Sequence, residues 1–282
     1  MISLSRTSAR SSSVIAVEFG KPRRRAARIL AIEDLDAVRV VRPEDIRPAA
    51  EFLCDLAARR GLRVACAHDL TDKRTPVDGD GNVLARDVFG WGADDEVWWR
   101  NPRIALQSPI TAACRCETEP FWVNADGFHT QVPNPYLASI DLGDFEARAL
   151  TWAAIVVPVH MAFGQIGVVC LTPEDRSCTD LSDIFATDGD LLAIYSRVFV
   201  NSYAKLMGGC RGLPTGALLS KREVECLRWA ALGKTDLEIG LIISRSRATV
   251  RFHIHNASLK LNAVNRCQTL FKASQLGYIT LG

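Results

Sequence analysis

The sequence lacks the patterns that would identify an integral membrane protein or a common class of enzyme. No stretch of its 282 residues approaches the roughly 18 consecutive apolar positions of a membrane-spanning helix. It has no glycine-rich phosphate loop, GxSxG elbow, HExxH motif or pattern of paired carboxylates at strand ends. None of the five histidines stands in a catalytic pattern. We therefore expect no enzymatic activity, no cofactor and no membrane partner.

Cysteine is present, but not in a metal-binding pattern. The nine cysteines are scattered and odd in number, which favours reduced thiols over disulfides. Cys114 and Cys116 have no second pair or histidine at metal spacing nearby, so we predict no metal site. A redox role for this pair stays open. Reduced thiols also predict a cytoplasmic location.

Formal charge is concentrated at the two ends of the chain. Residues 1–30 hold 7 Lys and Arg against 1 acidic residue, and residues 213–282 hold 10 against 4. Each end therefore carries +6, and the part between them carries −10. This distribution predicts nucleic-acid affinity at the ends. We interpret residues 1–30 as a basic disordered tail.

The segment Ser246–Lys260 (SRATVRFHIHNASLK) predicts a helix that reads DNA. At 100° per residue, one apolar stripe forms, and it should face a core. Its members are Val250, Ile254, Ala257 and Leu261. The other side carries groups suited to base edges. The predicted base contacts are Arg251, Phe252, His255 and Asn256.

Capping signals divide the region around this helix into four helices. Each pairs a side-chain acceptor with a group three residues later that can reach back. The pairs are Ser220 with Glu223, Thr235 with Glu238, Ser246 with Thr249, and Asn265 with Gln268. The short second helix and the tight turn before Ser246 give the spacing of a helix-turn-helix.

Basic and hydroxyl side chains lie at the starts or flanks of these helices, where charge and free N–H groups meet phosphate. The predicted phosphate contacts are Lys234, Thr235, Arg247, Thr249, Lys260 and Arg266. Together they would position the domain on DNA without reading its sequence.

These residues resemble the DNA-binding domain of LuxR-type transcriptional regulators, over most of residues 218–279. The string TVRFHIHNASLKLNAVNR is most similar to the quorum-sensing branch, which reads VxFHxxNxxxKL followed by NR. Further matching positions are Leu219, Ser220, Arg222, Glu223, Leu227, Gly233, Lys234, Thr235, Glu238 and Ile239. Ser244 and Arg245 depart from the family, which favours Gly and a small or apolar residue there.

The amino-terminal part predicts an antiparallel sheet flanked by helices. Two apolar runs, Ala154–His160 and Gly164–Leu171, read as a central hairpin. Further strands are expected at 62–70 and 118–123. Helices are expected at 42–60, 95–100, 109–116 and 144–153, with a long one from Thr179 or Ser182 that Gly189 interrupts. We predict an α/β/α layered fold.

Large aromatic side chains concentrate in one 46-residue window, although aromatics make up only 7% of the chain. Such a cluster lines either an ordinary core or a ligand pocket. The segment WWRNPRIALQSPITAACRCETEPFWV resembles the pocket of LuxR-type autoinducer-binding domains, and VPVHMAFGQIGVV resembles their hairpin. The predicted pocket residues are Trp91, Trp98, Trp99, Ser108, Trp122 and Tyr136.

Within this resemblance, Pro109 matches the family proline, and Trp122 matches the tryptophan that faces the lactone carbonyl. Trp99 falls near a pocket tyrosine. Ser108 stands where the family aspartate accepts the ligand's N–H. A hydroxyl is a weaker acceptor than a carboxylate and can also donate. We therefore expect little affinity for acyl-homoserine lactones.

The sequence predicts an α+β protein of two domains: a sensor domain at 31–207, a linker at 208–217, and an all-α four-helix helix-turn-helix domain at 218–282. The resemblance implies a transcriptional regulator that binds a partly palindromic duplex as a homodimer, with RNA polymerase as a further partner of an activator. A small molecule would gate the sensor.

Two alternatives stay open. One is a ligand-independent regulator, controlled by a partner protein or by cysteine oxidation. The other is a response regulator with a degenerate receiver domain, suggested by RRRAARILAIEDLDAVRVV. A receiver needs a phosphorylatable aspartate after a buried third strand, and TDKRTPVDGDG occupies that region instead.

Overall fold

The computed structural model describes residues 35–72, 74–92, 106–208 and 216–280. The predicted basic tail, the predicted helix at 95–100 and most of the 208–217 linker lie outside these residues. Within the described residues, no helix combines the length and the apolar character that crossing a membrane requires.

The amino-terminal domain is built on one antiparallel sheet of five strands, in the order β1-β5-β4-β2-β3. The strands are β1 (Leu62–Ala67), β2 (Phe121–Asn124), β3 (Gly127–Thr130), β4 (Ala153–His160) and β5 (Ile166–Pro173). Strands β4 and β5 form the predicted hairpin. Receiver domains have a parallel sheet, so the response-regulator alternative is excluded.

Among the described residues, five α-helices accompany this sheet and cover both of its faces. They are α1 (Ile46–Ala58), α2 (Leu84–Asp87), α3 (Pro109–Ala113), α4 (Phe145–Ala149) and α5 (Ser182–Met207). Alternate residues of β4 enter different cores. Ile155 and Val157 pack with α1 and α5, whereas Ala154 and Val156 pack with α3 and α4. The layered α/β/α prediction is confirmed.

Three local predictions for this domain were wrong. Helix α5 runs unbroken through Gly189, where a Cβ would lie 2.9 Å from the ring of Phe185, so close packing explains this glycine. Helix α4 ends at Ala149 because Leu150 adopts a left-handed conformation with φ of 57°. Strand β3 lies where the sequence predicted no strand.

The carboxy-terminal domain consists of four helices, as predicted. They are α6 (Lys221–Ala231), α7 (Asp236–Ile242), α8 (Arg247–Lys260) and α9 (Arg266–Gln275). The four predicted N-caps each accept a backbone hydrogen bond from the residue three positions later. One core joins the helices, with Leu227, Ile239, Val250 and Leu261 fully buried at its centre.

Candidate DNA interface and ligand cavity

Helix α8 is held against the domain by the predicted apolar stripe. Val250, Ile254 and Ala257 are buried on the helix, and Leu261 is buried at its C-cap. At the other end, the Ser246 hydroxyl accepts a hydrogen bond from the Thr249 N–H at 3.1 Å. Because the stripe and the cap fix the rotation of the helix, they also fix which side chains face outward.

The outward face of α8 carries three of the four predicted base contacts. Arg251, Phe252 and His255 are exposed, and with Arg247 and Ala248 they line a shallow depression of the surface. Phe252 is 60% exposed, although it is one of the larger apolar side chains of the domain. Asn256 is half-buried at the edge of this face. The arrangement offers a cation, an imidazole and an apolar surface together.

The turn between α7 and α8 depends on a close backbone approach. The Arg245 N–H donates to the Gly240 carbonyl at 2.8 Å, and a Cβ on Gly240 would lie 2.6 Å from the Arg245 carbonyl oxygen. Ser244 takes a left-handed conformation with φ of 53°. Since non-glycine residues rarely adopt that region, the family's preference for glycine at this position has a physical reason, and serine meets it with some strain.

Four of the predicted phosphate contacts surround the start of α7 or α8. Arg247 is exposed in the first turn of α8. Lys234 lies 3.9 Å from Glu238, and its side chain is 44% exposed. Thr235 and Thr249 are engaged in capping, since the Thr235 hydroxyl donates to Glu238 and the Thr249 hydroxyl bonds to Ser246.

The Lys260 side chain, predicted as a phosphate contact, is 41% exposed and forms an ion pair within the domain. Its ammonium donates to the Glu223 carboxylate at 2.8 Å. That carboxylate is buried and also accepts from the Ser220 N–H at 2.7 Å. Burial alone would raise the pKa of Glu223, but the hydrogen bonds from Lys260 and Ser220 outweigh it and lower the pKa.

Arg266, also predicted as a phosphate contact, is 37% exposed and connects two helices. Its guanidinium bonds to the Asp236 carboxylate and donates to the Lys234 carbonyl at 2.9 Å, so it connects the start of α9 to the start of α7. Asp236 also lies 3.8 Å from Arg251. This role of Asp236 was not predicted, because its partners are 15 and 30 positions away in the chain.

The amino-terminal domain contains a cavity of about 100 Å³ on the α3 and α4 side of the sheet. Alternate strand residues form its floor, among them Ala65, Ala67, Val168, Cys170 and Thr172. Ala149 and the left-handed Leu150 lie at one wall. A strained residue beside a cavity is a frequent feature of ligand sites.

Two predicted pocket residues line this cavity. Ser108 is buried at the N-cap of α3 and makes no capping hydrogen bond with its side chain. Trp91 lies against the wall, where its Nε1 donates to the Val64 carbonyl at 2.5 Å and Arg63 covers its ring. Sequence reasoning missed Thr111, which also lines the cavity. Its spacing of one helical turn from Ser108 is the signal that could have identified it.

The other predicted pocket residues are not among the cavity's described lining. Trp122 packs on the opposite face of the sheet and stacks on His129, with ring centroids 3.7 Å apart. Its strand neighbours Phe121 and Val123 point to the cavity side, so the prediction was wrong by one residue of strand register. Tyr136 is 70% exposed. Trp98 and Trp99 lie outside the described residues.

The surroundings of Cys114 and Cys116 are unfavourable for redox sensing by this pair. Cys114 is fully buried, and burial raises the pKa of its thiol well above the usual range. Burial also raises the pKa of Cys116, whose thiol donates to the Ala112 and Ala113 carbonyls. Since the thiolate is the reactive form, these shifts oppose oxidation of the pair. Among the described residues, no cluster of side chains suits a metal ion.

Comparison with known proteins identifies the carboxy-terminal domain. Residues 217–273 match the family model described as "Bacterial regulatory proteins, luxR family". This is a LuxR-type helix-turn-helix domain. The match covers helices α6 to α8 and most of α9.

Longer alignments link the chain to named regulators. It is 34% identical over 127 residues to the transcriptional activator protein VanR of Vibrio anguillarum, covering 45% of this chain and 52% of that protein. It is 51% identical over 122 residues to the transcriptional activator protein LuxR of Aliivibrio fischeri. This alignment covers 43% of this chain and 48% of that protein. The chain thus spans about half the length of these relatives.

A third relative is the HTH-type quorum sensing-dependent transcriptional regulator VjbR of Brucella abortus (strain 2308). It is 49% identical over 74 residues, which cover 26% of this chain and 29% of that protein. Among solved structures, Escherichia coli SdiA aligns over 88% of this chain and 96% of its own, with a TM-score of 0.45 and 21% identity. The names of the three relatives are those of regulators, the class that the sequence favoured over an enzyme.

Proposed function

We propose that the protein is a sequence-specific DNA-binding transcriptional regulator of the LuxR quorum-sensing type. The observation that carries this proposal is the face of α8. Arg251, Phe252 and His255 are exposed together there, on a helix whose rotation is fixed by a buried stripe and a cap. Cationic, imidazole and apolar groups on one helix suit base edges in the major groove.

The test is selection of bound duplexes from a random-sequence pool by the purified full-length chain. We expect enrichment of a partly palindromic motif with half-sites about one helical turn apart. An Arg251→Ala variant serves as the matched control and should enrich a more degenerate motif. Recovery of random sequence by the unaltered protein would contradict the proposal.

We further propose that the protein acts in the cytoplasm as a homodimer, and that RNA polymerase is a partner if it activates. The cysteines of the described residues, which form no disulfide, and the LuxR-type domain support this interpretation. Sedimentation of the protein with and without the selected duplex tests the dimer. A complex of one chain per palindrome would contradict it.

The sensor domain, in this proposal, responds to a small molecule held in the cavity beside Trp91 and Ser108. Because Ser108 stands where the resembling family has an aspartate, acyl-homoserine lactones should bind weakly. A thermal-shift panel of these lactones tests this, with Ser108→Asp as the matched variant that should gain affinity. A large shift with the unaltered protein would contradict the expectation.

The alternative function is ligand-independent regulation on the same fold. The absence of a carboxylate at Ser108 is the observation that favours it. Binding of the selected duplex by protein purified without added ligand distinguishes the two. Full affinity that no small molecule changes favours the alternative, whereas affinity that rises on ligand addition favours the sensor.

A further inference from the structure

One carboxylate of the DNA-binding domain contacts two arginines that belong to different helices. Asp236 is the first residue of α7, and its side chain is 16% exposed. Its Oδ1 atom bonds to Nη1 of Arg266 on α9, and its Oδ2 atom lies 3.8 Å from Nε of Arg251 on α8. The Arg266 guanidinium also donates to the Lys234 carbonyl at 2.9 Å, so the carboxylate is held in place. The connection between α7 and α9 uses one oxygen of Asp236, and the other oxygen faces Arg251.

The charges around Asp236 oppose a carboxylate at this position. Among the described residues that line the depression at the start of α7, the basic ones are Lys234, Arg247 and Arg266, and Asp236 is the one acid. A basic surface meets DNA phosphate through its cations. A carboxylate within that surface repels phosphate, because the two charges have the same sign. Asp236 should therefore lower the affinity for any duplex, whatever its sequence.

The orientation of the Arg251 side chain matters for reading a base. Arg251 is 68% exposed, and its long stem loses conformational freedom when the guanidinium binds. A guanidinium presents five N–H donors in a fixed fork. Because Nε lies next to Asp236, the Nη1 and Nη2 groups are left to donate two hydrogen bonds to O6 and N7 of a guanine.

We propose that Asp236 is a positioning residue for base reading: its carboxylate holds the Arg251 guanidinium in one orientation before DNA binds. This inference rests on the proposed function of α8 as the reading helix. Asp236 then has opposite effects on two kinds of binding. It favours the duplex that contains the base read by Arg251, because less conformational freedom is lost on binding. Its negative charge disfavours every duplex.

The test compares dissociation constants of full-length variants for the selected duplex and for a scrambled version of it. Asp236→Asn removes the negative charge and keeps the size of the side chain. We expect it to reduce the ratio of the scrambled to the selected constant by about 2- to 10-fold, the cost of immobilising one long side chain. It should bind the scrambled duplex at least as tightly as the unaltered protein does. Glu238→Gln is the matched control and should leave the ratio unchanged, because Glu238 lies in the same turn of α7 but contacts Lys234 and Thr235.

A double-mutant cycle separates positioning from a structural role. In an Arg251→Ala background there is no guanidinium to orient, so Asp236→Asn should no longer reduce the ratio. A purely structural role, such as the connection to Arg266, would weaken binding of both duplexes alike and leave the ratio unchanged.

A second measurement uses the unaltered full-length protein without DNA. Nitrogen relaxation of arginine side chains by NMR reports how far each Nε–H group is ordered. The comparison is Arg247, which is exposed in the first turn of α8 and for which the described residues supply no ion pair. We expect the Nε–H group of Arg251 to be more ordered than that of Arg247.

Three results would overturn the proposal: an unchanged ratio in Asp236→Asn, the same reduction of the ratio in the Arg251→Ala background, or equal disorder of Arg251 and Arg247. If Arg251→Ala lowers the ratio and Asp236→Asn does not, the reading helix stands and the positioning role fails. An unchanged ratio in Arg251→Ala would contradict reading by α8 itself, and with it the positioning role.

Discussion

The ion pair between Lys260 and Glu223 makes a quantitative prediction. The Glu223 side chain is 5% exposed and the Lys260 side chain 41% exposed, so the pair is only partly screened by water. Breaking a fully buried pair costs about 3–5 kcal/mol, and an exposed one about 0–1 kcal/mol. For this intermediate case we expect Lys260→Met to lower the free energy of unfolding by about 1–3 kcal/mol, which is the range of a hydrogen bond to a charged group. Methionine preserves the apolar stem of the lysine.

The assay is amide hydrogen exchange of helix α6 in the full-length protein, followed by mass spectrometry. Each 1.4 kcal/mol corresponds to a tenfold change, so protection of α6 should fall by about 5- to 150-fold. Lys221→Met is the matched control, because Lys221 is exposed and makes no ion pair among the described residues. Unchanged protection in Lys260→Met would refute a structural role for this ion pair.

The same pair predicts a dependence on pH. The folded pKa of Glu223 lies below its ordinary value of 4.5. The stabilisation that the ionised Glu223 carboxylate provides is therefore complete above its pKa in the unfolded state. It is lost as the pH falls through its pKa in the folded state. The difference in free energy of unfolding between the unaltered protein and the Lys260→Met variant should be constant near neutrality. It should become smaller below about pH 4.5. A difference that persists at lower pH would contradict the assignment to this carboxylate.

Three further predictions concern a buried hydroxyl, the reactivity of two cysteines and a buried glycine. Thr111→Val should stabilise the ligand-free protein by about 1–2 kcal/mol, because it removes an unpaired buried hydroxyl; a lower melting temperature would show that the hydroxyl is already satisfied. Among the cysteines of the described residues, Cys267 is exposed and should react with a thiol reagent first, whereas Cys66, whose pKa is raised by burial, should react only on unfolding; mass spectrometry of the labelled peptides checks the order. Gly240→Ala should destabilise the α7–α8 turn and weaken duplex binding, since its Cβ would lie 2.6 Å from a backbone oxygen; full binding affinity would refute this.

Much of the carboxy-terminal domain could be predicted because its signals are local. Each capping pair spans three residues, and the buried stripe of α8 repeats within one helix. The β4–β5 hairpin was equally clear, since β4 is buried along seven of its eight residues. Strand β3 was missed because it is four residues long and only half-buried at the sheet edge.

The remaining errors concern partners that are distant in sequence. The ion pair of Lys260 was not predicted because Glu223 lies 37 positions away, and no local pattern joins them. Trp122 was placed in the pocket because adjacent strand residues point to opposite faces, and the sequence alone does not say which face borders the cavity. Thr111 became visible only when its unpaired hydroxyl could be located in the wall.

The most direct test of DNA reading by α8 compares Arg251→Ala with Lys234→Ala on the selected duplex and on a scrambled one. Arg251 is 68% exposed on the outward face, whereas Lys234 lies at the start of α7. We predict that Arg251→Ala weakens binding to the selected duplex by about 1–3 kcal/mol and leaves the scrambled duplex nearly unaffected. Lys234→Ala should weaken both alike. Equal losses on the two duplexes for Arg251→Ala would contradict the assignment of α8 as the reading helix.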